Sequence, residues 1–187
     1  MAATDHTTSL RALFELFSDA RPVEPPPCEF VSAGELPEPF RRLLAHEDHM
    51  TLALEQFHGR PVALRVLAKR HRGDDYARMI LLNLAGTDQI VEFGIVRLNL
   101  SFCSADVRSE IVSERTPLGR ILIEHNVLRR IQPTTFLRFQ PNDQLMNWFR
   151  IARPEPIFGR LATILVNDVH AIDLLEVVRG AVQTPEV

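Results

Sequence analysis

Two strand-patterned runs, Tyr76 to Leu84 and Ile90 to Phe102, are separated by little more than Ala85-Gly86-Thr87-Asp88. Gly and Asp supply turn conformations, and a link this short closes an antiparallel hairpin. A parallel pair would need a crossover of about a dozen residues or more. The same economy recurs along the chain. Within Pro61–His71, Val62, Leu64 and Val66 alternate against Ala63, Arg65 and Leu67, the period of a strand. Thr134–Phe139 reads as another strand, and Gly159–Val166 and Ala171–Val178 form a terminal pair around Asn167-Asp168. Consecutive strands with turn-length links, and helices grouped at the start and middle, favour α+β with an antiparallel sheet over alternating βαβ units.

Helical patterns occupy the remainder. Ser9–Phe17 is a short amphipathic helix capped by Ser9, with an apolar face for the core or a partner. Arg21 to Cys28, with four prolines, is neither helix nor central strand and reads as an extended connector. Leu36–Phe57 is helical with an interruption at His46–Thr51, and Ser104–Glu114 and Asp143–Phe149 are further helices. Lys69–Asp75, dense in charge, reads as a solvated loop. The expected division is an N-terminal helix and Pro-rich extension over 1–35, one domain over 36–180 and a tail over 181–187.

Composition narrows the classes of function. At 187 residues, 45% hydrophobic and 24% charged, the chain suits a single soluble domain with a sizeable core. A net charge of −3 offers no basic footprint for nucleic acid or anionic lipid. Cys28 and Cys103 lack metal-ligand spacing and form no disulfide framework. No apolar run approaches the roughly 18–20 residues that cross a bilayer. Met1–Ser9 lacks the positive start and apolar core of a signal peptide. A cytoplasmic protein without membrane or nucleic-acid partners is the expectation, and a homodimer is compatible with it.

Three places carry candidate chemistry. In Thr116-Pro117-Leu118-Gly119-Arg120, Thr116 suits an N-cap, Pro117 the first helical position, and Asn126 a stop. The helix start offers the backbone N–H groups of Leu118 and Gly119, and Gly119 has no side chain to keep a ligand away. A well-capped surface helix explains the same residues. Arg78 lies in the apolar run Tyr76-Ala-Arg-Met-Ile-Leu-Leu. There it needs an anion, or its stem packs while its head reaches solvent. Glu176 lies in Leu-Leu-Glu-Val-Val, where apolar surroundings would raise its pKa and let it handle a proton, unless alternation sets it on a wet face. Asp173 falls on the opposite face and is the better solvent residue. His46, Glu47, His49, His58 and His71 provide no convincing third metal ligand, so no metal is expected.

Taken together, Glu47-Asp48-His49-Met50-Thr51 with Glu55-Gln56, the Thr116–Arg120 segment, Phe158-Gly159-Arg160 and Leu174-Leu175-Glu176 resemble the chorismate lyases over residues 36–180. The resemblance implies a single α+β domain whose roughly six-stranded antiparallel sheet carries helices and helix-turn-helix flaps on one side. It also implies elimination of pyruvate from chorismate to leave 4-hydroxybenzoate, by a carbon–oxygen lyase without metal or organic cofactor. Arg78 and the Leu118 amide would hold the ring carboxylate, with Thr116 and Gly119 beside them, and Glu176 would meet the hydroxyl end. Met50 and His49 would line a flap. The lyases carry a second arginine where this chain has Gly94. Arg97 is the candidate replacement, although alternation puts it on the other face unless a bulge intervenes. One arginine suits a monocarboxylate better than a dianion. A non-catalytic binder of an aromatic carboxylate, and a lyase-like scaffold turned to other chemistry in secondary metabolism, are the competing expectations. The fold is also similar to the effector-binding domain of bacterial transcription regulators, which follows a winged helix; residues 1–35 are too short and Pro-rich for one.

Overall fold

The computed structural model describes residues 2–18 and 25–180. Residues 21–24, half of the expected connector, and the whole expected tail lie outside the described residues. A first helix, α1 (Ala2–Glu15), precedes strand β1 (Cys28–Val31) and helices α2 (Phe40–Leu44) and α3 (Met50–His58). Strands β2 (Val62–Arg72), β3 (Asp75–Leu84) and β4 (Ile90–Asn99) follow, then helices α4 (Ala105–Ser113) and α5 (Leu118–Glu124). Strand β5 (Arg129–Phe139), helix α6 (Asp143–Phe149) and strands β6 (Ile157–Val166) and β7 (Val169–Val178) complete the chain. The strands form one antiparallel sheet in the order β1-β5-β6-β7-β4-β3-β2. The α+β antiparallel class is therefore as expected, with β1 as a seventh strand.

Strand alternation divides the side chains between two covered faces. On one, Met79, Leu81, Phe93, Ile95, Leu175 and Val177 meet Leu10, Leu13, Phe14 and Phe17 after α1 begins, and Leu145 and Phe149 of α6. On the other, Ile80, Leu82 and Phe158 meet Leu43 and Leu44 of α2 and Met50 and Leu54 of α3. Beside them Val96, Leu98 and Ile164 meet Val107 and Ile111 of α4 and Ile121 and Leu122 of α5. This second face, under α2–α5, carries the charged residues of interest. Helices thus lie on both sides of the sheet, because α1 and α6 cover the face away from the flaps.

Several local expectations change. The first helix starts at Ala2, so Ser9 lies inside it rather than capping it, and its apolar face packs on the chain's own sheet. The supposed loop at Lys69–Asp75 is instead the tip of the β2–β3 hairpin: Lys69 pairs with Arg78 in register, and Gly73 takes φ 59° at the turn. Charge there decorates a strand instead of preventing one. Strand β5 begins at Arg129, well before Thr134, and Pro133 sits at a register shift against β6. It is tolerated because β1 pairs only with Phe136–Phe139, leaving β5 an edge strand at Pro133. Among the described residues no helix is long and apolar enough to cross a membrane.

Candidate functional site

The N-terminal ends of α3 and α5 come together over β3, β4 and β7. Between them and the sheet is a cavity of about 60 Å³, walled by Met50, Ile80, Leu82, Val96, Leu118 and Leu174, with Arg78, Glu92, Glu176 and His49 as its ionisable lining. At roughly 10–15 Å³ per water the space holds a few waters, so a ring-sized ligand enters only as the two helix ends part.

Arg78 projects from β3 because Tyr76, Arg78, Ile80 and Leu82 alternate onto this face. It is 2% exposed. Its Nη1 donates to the Ile111 carbonyl at 3.4 Å and its Nη2 to the Thr116 carbonyl at 3.5 Å, both at the long limit for such bonds. Among the described residues no carboxylate forms a salt bridge with it. Burial lowers its pKa, offset in part by Tyr76 and the Glu114 charge. An arginine remains charged all the same. Arg78 is a buried cation facing a cavity, without a direct counter-ion.

The opposite end holds two carboxyl groups and a second arginine. Arg160 of β6 is fully buried and donates from Nε to Glu176 Oε2 at 2.6 Å. Its Nη1 donates to the carbonyls of Leu44 at 2.9 Å and His46 at 2.7 Å, and its Nη2 to that of Asp48 at 3.2 Å. Arg160 thus ties the α2–α3 loop to the sheet. Glu92 of β4, 4% exposed, belongs to the same face. Its Oε2 is buried with no hydrogen-bond partner among the described residues. Burial first, and then the Glu176 charge, push its carboxyl well above the usual range, against the pull of Arg160.

At the mouth, His49 caps α3 in extended conformation and accepts a hydrogen bond at Nε2 from Arg129 Nε. Its remaining proton therefore sits on Nδ1. Burial, then the charges of Arg129 and Arg160, lower its pKa to about 4. Pro117, and not Thr116, is the N-cap of α5, and Leu118 is its first residue. Thr116 faces the site only through its carbonyl. A Cβ on Gly119 would lie 2.9 Å from Thr51 Oγ1 and 3.0 Å from His49 Cβ. The bare glycine thus serves the contact between α5 and α3, where access for a ligand was expected.

The structure brings His49, Met50, Arg78, Leu118, Gly119 and Glu176 to one cavity. Arg97 is not among them. It points to the other face, bonding Asp75 at 2.9 Å and standing opposite Asp173. The irregularity between β3 and β4 falls at Leu82/Asn83, too far away to turn it inward. Glu176 is also not in the apolar setting expected of a proton acceptor, since Arg160 pairs with it. Sequence reasoning missed Glu92 and the role of Arg160. The available signal was parity: Glu92 and Gly94 share a strand face in Ile-Val-Glu-Phe-Gly-Ile-Val.

No family profile and no curated protein matches the chain. Solved structures do. The effector domain of PhnF from Mycobacterium smegmatis is 12% identical at a TM-score of 0.50, over 71% of this chain and 89% of that one. The PhnF structure from the same organism is 13% identical at 0.50, over 75% and 70%. A possible transcriptional regulator, YydK from Bacillus subtilis, is 10% identical at 0.46, over 70% of this chain; the match spans 64% of that regulator's length. The fold is chorismate lyase-like. The expected activity is corrected: what the fold matches at a TM-score of 0.50 is PhnF and its effector domain, not a lyase. In the site itself, Gly94 stands in place of the second arginine and Glu176 is tied up by Arg160. The reading as a chorismate pyruvate-lyase yielding 4-hydroxybenzoate is withdrawn.

Proposed function

We propose that this chain is a non-catalytic ligand-binding domain of the effector type, holding a small molecule with one carboxylate on an apolar ring between the sheet and the ends of α3 and α5. The observation that carries the reading is Arg78, a buried guanidinium lining the cavity with two long bonds to carbonyls and the Tyr76 hydroxyl beside it, but no carboxylate paired with it among the described residues. A cation so placed is costly unless an anion arrives. A ligand carboxylate supplies the paired, charge-assisted hydrogen bonds for which a guanidinium is shaped. The apolar walls accept a ring, and such sites are typically apolar with a few polar anchors. The likeness to the PhnF effector domain supports a binding role for the fold.

The test is thermal unfolding and calorimetry with benzoate. Wild type should be stabilised by about 2.7 kcal/mol when benzoate stands at a hundred times its dissociation constant, and the Arg78→Met variant should not respond. An equal response in both proteins, or none in wild type, refutes the reading.

A further inference from the structure

We infer that the ligand of this cavity is an amino-carboxylate, whose basic nitrogen is held by Glu92 at the end of the pocket opposite Arg78. This rests on the reading of Arg78 as the carboxylate anchor. Glu92 and Glu176 lie together on β4 and β7, with one guanidinium, Arg160, for both. The bonds Arg160 donates go to Glu176, to the carbonyls of Leu44, His46 and Asp48 and to His46 Nδ1, and none goes to Glu92. Glu92 is thus an acid lacking a cation, while Arg78 is a cation lacking an anion. A pocket with a buried cation at one end and, at the other, a carboxyl group whose Oε2 has no partner among the described residues selects a ligand with an anion at the first end and a basic nitrogen at the second.

Gly94 explains how the acid fits. A Cβ there would lie 3.1 Å from Glu92 Oε1 and 3.2 Å from Ile80 Cδ1. The carboxyl of Glu92 therefore fills space that a side chain at position 94 would claim. Where the lyase pattern has a second cation, this pocket has a carboxyl group, and a second ligand carboxylate is disfavoured.

Register limits the length of the ligand. Arg78 stands opposite Val96, four residues from Glu92, about 13 Å along β4 at about 3.3 Å per residue. Both side chains reach inward and take up part of that span. A para-disubstituted ring bridges the remainder. An α-amino acid, with both charges on one carbon, cannot touch both ends. The groups facing Glu92 are Glu176 from β7, Arg160 from β6, Arg78 from β3 and His49 from the start of α3. In the ligand-free pocket burial and Glu176 favour the neutral carboxyl. An ammonium favours the carboxylate, so binding expels the Glu92 proton to the buffer.

The experiment is calorimetry near neutral pH with three probes, benzoate, 4-(aminomethyl)benzoate and terephthalate, in two buffers of different ionisation enthalpy. In wild type, 4-(aminomethyl)benzoate should bind about tenfold or more tightly than benzoate, with proton release, and terephthalate more weakly than either. Glu92→Gln should remove both the preference and the proton release. Benzoate binding that depends on Arg78 but equals that of the amine overturns this inference and leaves the carboxylate reading intact. A preference that survives in Glu92→Gln also overturns it. Binding of no probe overturns both. The probe ranking and proton count in wild type decide the matter even if the variant folds poorly.

Discussion

Arg78 and Arg160 are both buried on the same sheet face, yet replacing each with methionine should shift stability in opposite directions. Arg78 gains little from its surroundings. Its bonds at 3.4 and 3.5 Å are each worth less than the roughly 1 kcal/mol of an ordinary hydrogen bond, and the Tyr76 hydroxyl adds about one more such bond. Against them stands a desolvation cost of several kcal/mol for a buried ion without direct counter-ion. Methionine keeps the packing of the stem. Of the two carbonyls released, that of Ile111 still accepts from the Glu114 amide at 3.3 Å, and that of Thr116 costs about 1 kcal/mol. The ligand-free Arg78→Met protein should therefore be more stable by about 1–3 kcal/mol. At about 2–4 °C per kcal/mol for a domain of this size, the midpoint rises by about 2–12 °C. Arg160→Met instead strands the Glu176 carboxylate and the carbonyls of His46 and Asp48, all at 2.6–3.2 Å from their donor, while that of Leu44 keeps the His46 amide at 3.0 Å, and should cost about 3–5 kcal/mol. The measurement is urea unfolding of both variants without ligand, compared at equal slope. Should Arg78→Met lose more than about 1 kcal/mol, Arg78 is a satisfied structural arginine, and the argument for a ligand carboxylate fails with it.

Other outcomes follow from the same geometry. Native Glu92 keeps a proton that the unfolded chain releases near 4.5. From there upward its contribution to stability falls, by at most about 1.4 kcal/mol per pH unit, until its raised folded pKa is passed. His49 acts oppositely: with a folded pKa of about 4 against 6.5 unfolded, stability rises with pH between those values, by about 3 kcal/mol in all. The two slopes oppose each other between about pH 4.5 and 6.5, so urea midpoints should steepen upward with pH in Glu92→Gln and downward in His49→Gln; unchanged profiles would contradict both assignments. Gly119→Ala, with its new Cβ 2.9 Å from Thr51 Oγ1, should cost about 1–3 kcal/mol in the same assay. Phe14→Ala should cost about 3–5 kcal/mol, since this buried ring anchors α1 on the sheet beside Phe93.

The architecture was legible where pattern and turn chemistry agreed. The β3–β4 hairpin and the β6–β7 pair follow from alternation and short links, and the split between α2 and α3 from the interruption of the helical pattern after His46. Misreadings fell where local composition and tertiary position conflict. Pro133 hid the first half of β5, because a proline's tolerance in a strand depends on whether a neighbour needs its N–H, and only the sheet order decides that. The strand read over Pro61–His71 reaches within one residue of the end of β2, and the competing reading of Lys69–Asp75 as a solvated loop failed because that edge strand is exposed enough to carry charge. Likewise α1 and β1 lie within the segment 1–35, set apart for its prolines, yet β1 joins the sheet and α1 packs on it.

The site was harder to read because its chemistry depends on partners distant in sequence. Arg78 and Glu176 were visible as charges in apolar strands, but nothing local distinguishes an arginine that waits for an anion from one already satisfied. Arg160 and Arg78 look alike in the sequence, each a single charge in an apolar run. Only the register, which sets Arg160 directly opposite Glu176 and Arg78 opposite Val96, separates them. Gly94 carries the same lesson further. Read alone it is a missing arginine, a weakened anion site. Read with its same-face neighbour two residues earlier, it is the gap that lets the Glu92 carboxyl lie in the pocket. The substitution does not merely subtract a positive charge. It leaves the far end of the cavity acidic, so that a ligand suited to two arginines is a poor fit and one bearing a single carboxylate and a basic nitrogen a good one.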